Sequence, residues 1–226
     1  MKIQYFYDII CPYSWLGFQI LRQKHLSWRS IGQVEVDYLP FNNQLVHTRV
    51  HSYQWNDLSN AEREYKVNEL RNIADHYNLA QGSFERMFES DCRSRATLLF
   101  LNVIRQERPH LHLKFMDHFW KQIFMENKPV ALTNHFLEAA RELEVPYSTI
   151  SKFILRIENR ENVLDILNRS EQLAEEKTIS SPWIKVQTKG ISMSFTEIMR
   201  LELIDEIFRD PFVIPQSDKQ TRISAL

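Results

Sequence analysis

Four glycines in 226 residues leave no room for a glycine-rich phosphate loop, and neither G-x-G-x-x-G nor a Walker pattern occurs. Two cysteines are too few for a disulfide framework and point to a reducing compartment. Charge of one sign is also lacking. With 28 basic and 29 acidic residues the net charge is −1, which gives no reason to expect nucleic acid or anionic lipid as a partner. No apolar run approaches the roughly 18 residues of a membrane span. The first strand-like segment starts at Lys2, so no secretory leader is expected. What is present is a hydrophobic content of 43%, enough for a sizeable core in one domain, or one domain with a large insertion.

Residues 2–10, "KIQYFYDII", are rich in β-branched and aromatic types and predict a buried strand. Pro12 follows Cys11, and the run 13–26 then carries Trp15, Phe18 and Leu21 on one helical face. In "QVEVDYLPF" (33–41) the alternation of Val34, Val36 and Tyr38 predicts a second strand. The polar, His-containing stretch 42–59 reads as a long loop. From 61 to 177 the pattern is helical, in segments 61–78, 83–89, 93–107, 110–126, 133–144, 147–156 and 159–177, with breaks at Gly82, Pro109, Pro129 and Pro146. Residues 180–195 predict a strand, a turn at Thr188–Gly190 and another strand. Residues 196–210 form an amphipathic helix with Ile198, Leu201, Ile204 and Phe208 on one stripe and Thr196 as the expected N-cap; 211–226 are expected to be poorly ordered. A βαβ unit, a helical block and a ββα unit make the plan of an α/β, thioredoxin-like fold with an all-helical insertion. The split brings residue 11 and residue 182 together.

In that plan Pro12 takes the first helical position, where its missing N–H is harmless and its φ is already set. Cys11 then stands at the helix N-terminus. Free N–H groups and the positive end of the helix dipole favour a thiolate there, so the thiol is expected to be more acidic than usual. The same place suits another molecule's thiolate. Asp8, three residues earlier, opposes a thiolate if ionised and can relay a proton if protonated. Residue 14 is serine, so intramolecular Cys-x-x-Cys oxidation is impossible, and any mixed disulfide needs an outside thiol to resolve it. The alternative for Cys11 is an inert buried thiol. For Cys92 a core or helix-start role is the simpler reading. His110, His112 and His118, like His47 and His51, lack metal-ligand spacing and are expected to be solvated side chains, so no metal is predicted. Tyr53 and Trp55 are candidates to line a pocket.

The segment "FYDIICPYSWLGFQIL" (6–21) resembles the opening of kappa-class glutathione transferases, relatives of 2-hydroxychromene-2-carboxylate isomerases in the DsbA-like branch of the thioredoxin superfamily. Tyr7, Asp8, Pro12, Tyr13, Ser14, Trp15, Leu16 and Gly17 fit that pattern. Segments 65–79, 92–109, 119–130 and 136–145 are similar to successive helices of the same family. The resemblance implies a thioredoxin-like domain from residues 1–60 and 178–226, an inserted helical domain from 61–177, and a homodimer. It implies glutathione as co-substrate, with no permanently bound cofactor, and a small electrophile or hydroperoxide as the second substrate. Cys11 would be the catalytic residue at the glutathione sulfur. Pro12, Tyr13, Ser14, Ser181, a cis Pro182 and Arg200 would bind the rest. By analogy the compartment is a mitochondrion or peroxisome, and otherwise the cytoplasm; the final Ser-Ala-Leu lacks the basic middle residue of a peroxisomal ending.

Three departures bear on function. The family's usual serine is Cys11 here, which can bond covalently to glutathione where serine can only hydrogen-bond. The Gly-x-x-Pro-Pro-like loop after the second strand is missing from 42–58. Where a Ser-Asp pair holds the γ-glutamyl end, an ungapped register from Pro182 puts Ile198 and Met199, with only Arg200 agreeing. Each lost charged contact is worth on the order of 1–3 kcal/mol. Three readings follow: a kappa-like transferase, a monothiol glutathione-dependent oxidoreductase using Cys11, and a non-catalytic paralogue.

Overall fold

In the computed structural model, the residues described are 1–29, 32–50, 57–89, 93–178, 180–188 and 191–209. Four strands form one mixed sheet in the order β2-β1-β3-β4. β1 (Lys2–Tyr7) is central. It pairs in parallel with β2 (Glu35–Pro40) and antiparallel with β3 (Trp183–Thr188), which carries β4 (Ile191–Phe195) on its far edge. The crossover from β1 to β2 is α1 (Pro12–Arg29), as a parallel pair requires. Period-two alternation divides β1 between two cores. Ile3, Tyr5 and Tyr7 face the main core with Trp15, Phe18 and Leu21 of α1, while Phe6 faces a smaller cluster with Leu39, Phe41, Val46 and Leu173.

The segment between β2 and β3 is helical: α2 (Asn43–Val50), α3 (Asn60–His76), a 3₁₀ turn (Phe84–Phe88), α4 (Arg95–Glu107), α5 (Pro109–Phe124), α6 (Thr133–Glu142), α7 (Tyr147–Arg156) and α8 (Arg160–Glu175). The sequence-level punctuation acts as expected at two of these starts. Pro109 opens α5 and Pro146 immediately precedes α7. Ser59 and Glu62 close a capping box on α3. Gly82 serves close approach: a Cβ there would sit 2.7 Å from the Trp15 ring and 2.9 Å from the Phe124 carbonyl. α8 turns back to the sheet, where Leu173 and Ala174 join the smaller cluster. Among the described residues no helix is long and apolar enough to cross a membrane.

Two expectations are corrected. Residues 43–50 are helical rather than loop, because Asn42 caps the turn through Leu45 N–H (3.0 Å) and Val46 fills the smaller cluster. Residues 51–56, with His51, Tyr53 and Trp55, lie outside the described residues, as do Cys92, the turn at 189–190 and 210–226. Second, Thr196 caps nothing. A 3₁₀ turn (Ile198–Arg200) precedes α9 (Leu201–Arg209), and the Arg200 N–H bonds the Glu197 carbonyl at 3.0 Å. The tighter turn seats buried Ile198 against Gly17 of α1, where any Cβ would meet Ile198 Cγ2 at 2.7 Å and Tyr5 Oη at 2.5 Å.

Candidate active site

The site forms where β1 ends and α1 begins. Tyr7 is the last strand residue, Asp8–Cys11 makes the turn, and the Cys11 N–H closes it on the Asp8 carbonyl at 3.1 Å. Pro12 opens α1 as expected. Ser181 and Pro182 arrive from just before β3, joined by the expected cis bond. Residues 170 positions apart therefore meet. Cys11 Sγ donates to the Ser181 carbonyl at 3.2 Å, the two hydroxyls of Ser14 and Ser181 lie 2.6 Å apart, and the Asp8 N–H donates to Ser181 Oγ at 3.1 Å. Tyr5 Oη donates to the Ser14 carbonyl at 2.7 Å and ties α1 to the sheet.

Cys11 is only 2% exposed, and this decides its chemistry. The expected acidification is present: the Ser14 N–H and the hydroxyls of Ser14 and Ser181 all act to lower the thiol's pKa. Burial outweighs them, the nearby Asp8 charge adds to it, and the thiol is pushed up to about 11. The expectation of an acidic thiol is thus overturned. Cys11 is a protonated S–H donor at neutral pH.

Asp8 is a buried carboxylate (2% exposed) without a cationic partner among the described residues. Instead its oxygens accept from the N–H groups of Ile10 (3.3 Å) and Asn43 (3.0 Å) and from Ser94 Oγ (3.3 Å). Burial pushes its pKa up to about 6 against those hydrogen bonds. Asn43 opens α2 and Ser94 precedes α4, so one carboxylate joins three chain segments at the site. Neither partner was identified from the sequence. The Asn42-Asn43 pair carried an N-cap signal that locates the α2 start; nothing local connects Ser94 to Asp8.

The other predicted site residues separate into two groups. Pro12, Ser14, Ser181 and Pro182 surround Cys11. Tyr13 donates to Glu69 of α3 and carries Lys66 Nζ 5.9 Å from its ring centroid. Arg200 is exposed and paired with Glu197 (2.8 Å). Ile198 is buried and Met199 is exposed, so the turn presents no Ser-Asp-like pair. Two of the histidines also need correction. His112 is buried, with Nε2 2.8 Å from the Tyr7 hydroxyl; burial and the charges of Arg105 and Arg169 depress its pKa to about 3. His47 is buried beside Asn43 (3.0 Å). Among the described residues no group of three or more His, Cys, Asp or Glu side chains is placed to hold a metal ion.

This arrangement has relatives. Over 217 residues, 95% of this chain and 93% of the other, the sequence is 18% identical to glutathione S-transferase kappa 1 of Caenorhabditis elegans. The fold matches that of 2-hydroxychromene-2-carboxylate isomerase with a TM-score of 0.73 at 13% identity, covering 92% of this chain and 95% of that one. It matches the cytosolic disulfide reductase DsbM of Pseudomonas aeruginosa with a TM-score of 0.64 at 12% identity, covering 92% and 96%. The profile of the DSBA-like thioredoxin domain matches residues 2–197, from the first strand to the turn before α9. The chain therefore belongs to the family of DSBA-like thioredoxin domains.

Proposed function

We propose that the protein is a kappa-like glutathione transferase in which Cys11 acts as a hydrogen-bond donor to the bound glutathione thiolate. The observation that carries this reading is the protonated Cys11 thiol, donating at 3.2 Å to the Ser181 carbonyl at the start of α1. On binding, the glutathione sulfur replaces that carbonyl as the S–H acceptor, and the Ser181 backbone is released to pair with the peptide. The Ser14 N–H, at the positive end of α1, adds to the stabilisation. The thiolate then attacks an electrophilic carbon. A C–S bond forms, the leaving group departs with its electron pair, and the proton lost by glutathione goes to solvent.

The full-length similarity to a kappa transferase supports this reading, and the raised thiol pKa favours it over the monothiol oxidoreductase. A thiol that titrates near 11 supplies under one part in a thousand of thiolate at pH 7. Ile198 and Met199 weaken the γ-glutamyl end, so glutathione is expected to bind in the millimolar range. The test is conjugation of glutathione to an aryl halide. Cys11→Ser should keep activity within about threefold, and Cys11→Ala should lose roughly tenfold, the scale of one charge-assisted hydrogen bond. An abolished Cys11→Ser, together with a glutathione adduct in the intact mass after oxidised glutathione, would favour the monothiol reading instead.

A further inference from the structure

A cleft of about 630 Å³ lies between α3 and the 3₁₀ turn that precedes α9. That volume falls in the range of small-molecule sites. One wall is apolar: Tyr65 and Ile73 from α3, with Met199 facing them from the turn. Tyr65 is 68% exposed and Met199 41%, so two large apolar side chains are left to solvent across one concavity. Asn68, Asn72 and His76 follow at four-residue spacing along α3, with Glu69 on the adjacent stripe beside Tyr65 and Ile73. Among the described residues the lining thus holds a carboxylate and no lysine or arginine. The cations around it are engaged elsewhere: Lys66 over the Tyr13 ring, Arg200 on Glu197, and Arg71, which reaches Asn68 Oδ1 (3.4 Å), on Glu85.

We propose that this cleft is a binding site for amphipathic amines: an aromatic or aliphatic body against Tyr65, Ile73 and Met199, and a protonated or hydrogen-bond-donating nitrogen on Glu69. Three physical features select this class. A cation gains from the carboxylate and from an aromatic face such as Tyr65. A thioether adapts to bodies of differing shape. A ligand carboxylate would be desolvated beside the like charge of Glu69, whereas an ammonium would be paired by it.

The cleft is linked to the reactive turn. Glu69 Oε2 accepts from the Tyr13 hydroxyl, two residues from Cys11, while Oε1 makes no hydrogen bond among the described residues. A cation on Glu69 shares that carboxylate with Tyr13. If the transferase reading holds, on which this further step rests, the cleft receives the electrophile, and electrophiles bearing an amine are preferred to those bearing a carboxylate.

The experiment is calorimetric titration at pH 7, without glutathione, of the full chain with tryptamine and with indole-3-propionate, which share a ring and differ in charge. Tryptamine should bind at least tenfold more tightly. Glu69→Gln should remove that preference, and Met199→Lys, which leaves the Tyr13 contact intact, should reverse it. Equal binding of the two probes, no binding of either at millimolar concentration, or a preference that survives Glu69→Gln would overturn the proposal. Because glutathione is omitted, failure here leaves the Cys11 reading standing. Failure of conjugation with amine binding intact would separate the two the other way.

Discussion

Two polar clusters lie at the ends of β1 and β2, and they solve the same problem differently. In the first, Arg169 of α8 donates to the Pro40 carbonyl (2.5 Å), to Asn102 Oδ1 (3.3 Å) and to Asp165 Oδ2 (2.7 Å). Asn102 in turn donates to Asn162 and Asp165, each at 2.9 Å. Every charge there has an opposite one. Burial works against the Asp165 anion, yet Asn102, Arg169 and Gln106 hold its carboxyl below the ordinary range. In the second cluster, Asp8 and Cys11 have neutral donors and, among the described residues, no cation, and both are pushed up, to about 6 and about 11. Paired charge makes a fixed tie between α4, α8 and the end of β2. Unpaired charge leaves protons that ordinary conditions or a ligand can move. That difference is why the second cluster is the candidate site.

The comparison breaks first at Arg169. Arg169→Ala leaves the Pro40 carbonyl, Asn102 Oδ1 and Asp165 short of a donor, and denaturant unfolding should show a loss of roughly 3–5 kcal/mol. The thiol titration of Cys11 should stay in place, because the damage is confined to the paired cluster.

Asp8→Asn probes the other side. The folded-state pKa of Asp8, about 6, lies above its ordinary 3.8. The folded protein therefore holds the proton more tightly. Its contribution is fully present below about pH 4 and is lost as pH rises through about 6, on the order of 3 kcal/mol. Stability measured across pH 4–7 should fall in the native protein by this amount relative to Asp8→Asn. A parallel pair of curves would show that Asp8 is not the titrating group. The same substitution should lower the Cys11 pKa, since the Asp8 charge helps to raise it.

Ser94→Ala has the smallest expected effect. It removes one donor from the Asp8 carboxylate, so the midpoint of the Asp8 transition should move further upward, with about 1 kcal/mol lost at pH 7.

Much of this was legible in the sequence, and the omissions have physical causes. The order of strands and helices was readable because Trp15, Phe18 and Leu21 in α1, and Leu201 and Ile204 in α9, recur at helical spacing. Pro12 after Cys11 pointed to one half of the candidate site, and Ser181-Pro182 to the distant segment that meets it. α2 escaped because its short face buries Asn43 and His47 with a single apolar residue, Val46, too few for an apolar periodicity. His112 looked like a residue of a charged helix face until Tyr7 gave its ring a buried partner. The acidity of Cys11 was misjudged for the same reason. A helix N-terminus can be read from a Cys-Pro pair, whereas desolvation of the sulfur depends on segments that close over it from far along the chain.

The most direct test is the titration of the Cys11 thiol, followed by thiolate absorbance near 240 nm in a Cys92→Ser background that leaves one cysteine. A thiol still protonated at pH 8, with its midpoint near 11, is the predicted result. A midpoint at or below about 8.5, the ordinary thiol value, would contradict it and make Cys11 a nucleophile in its own right.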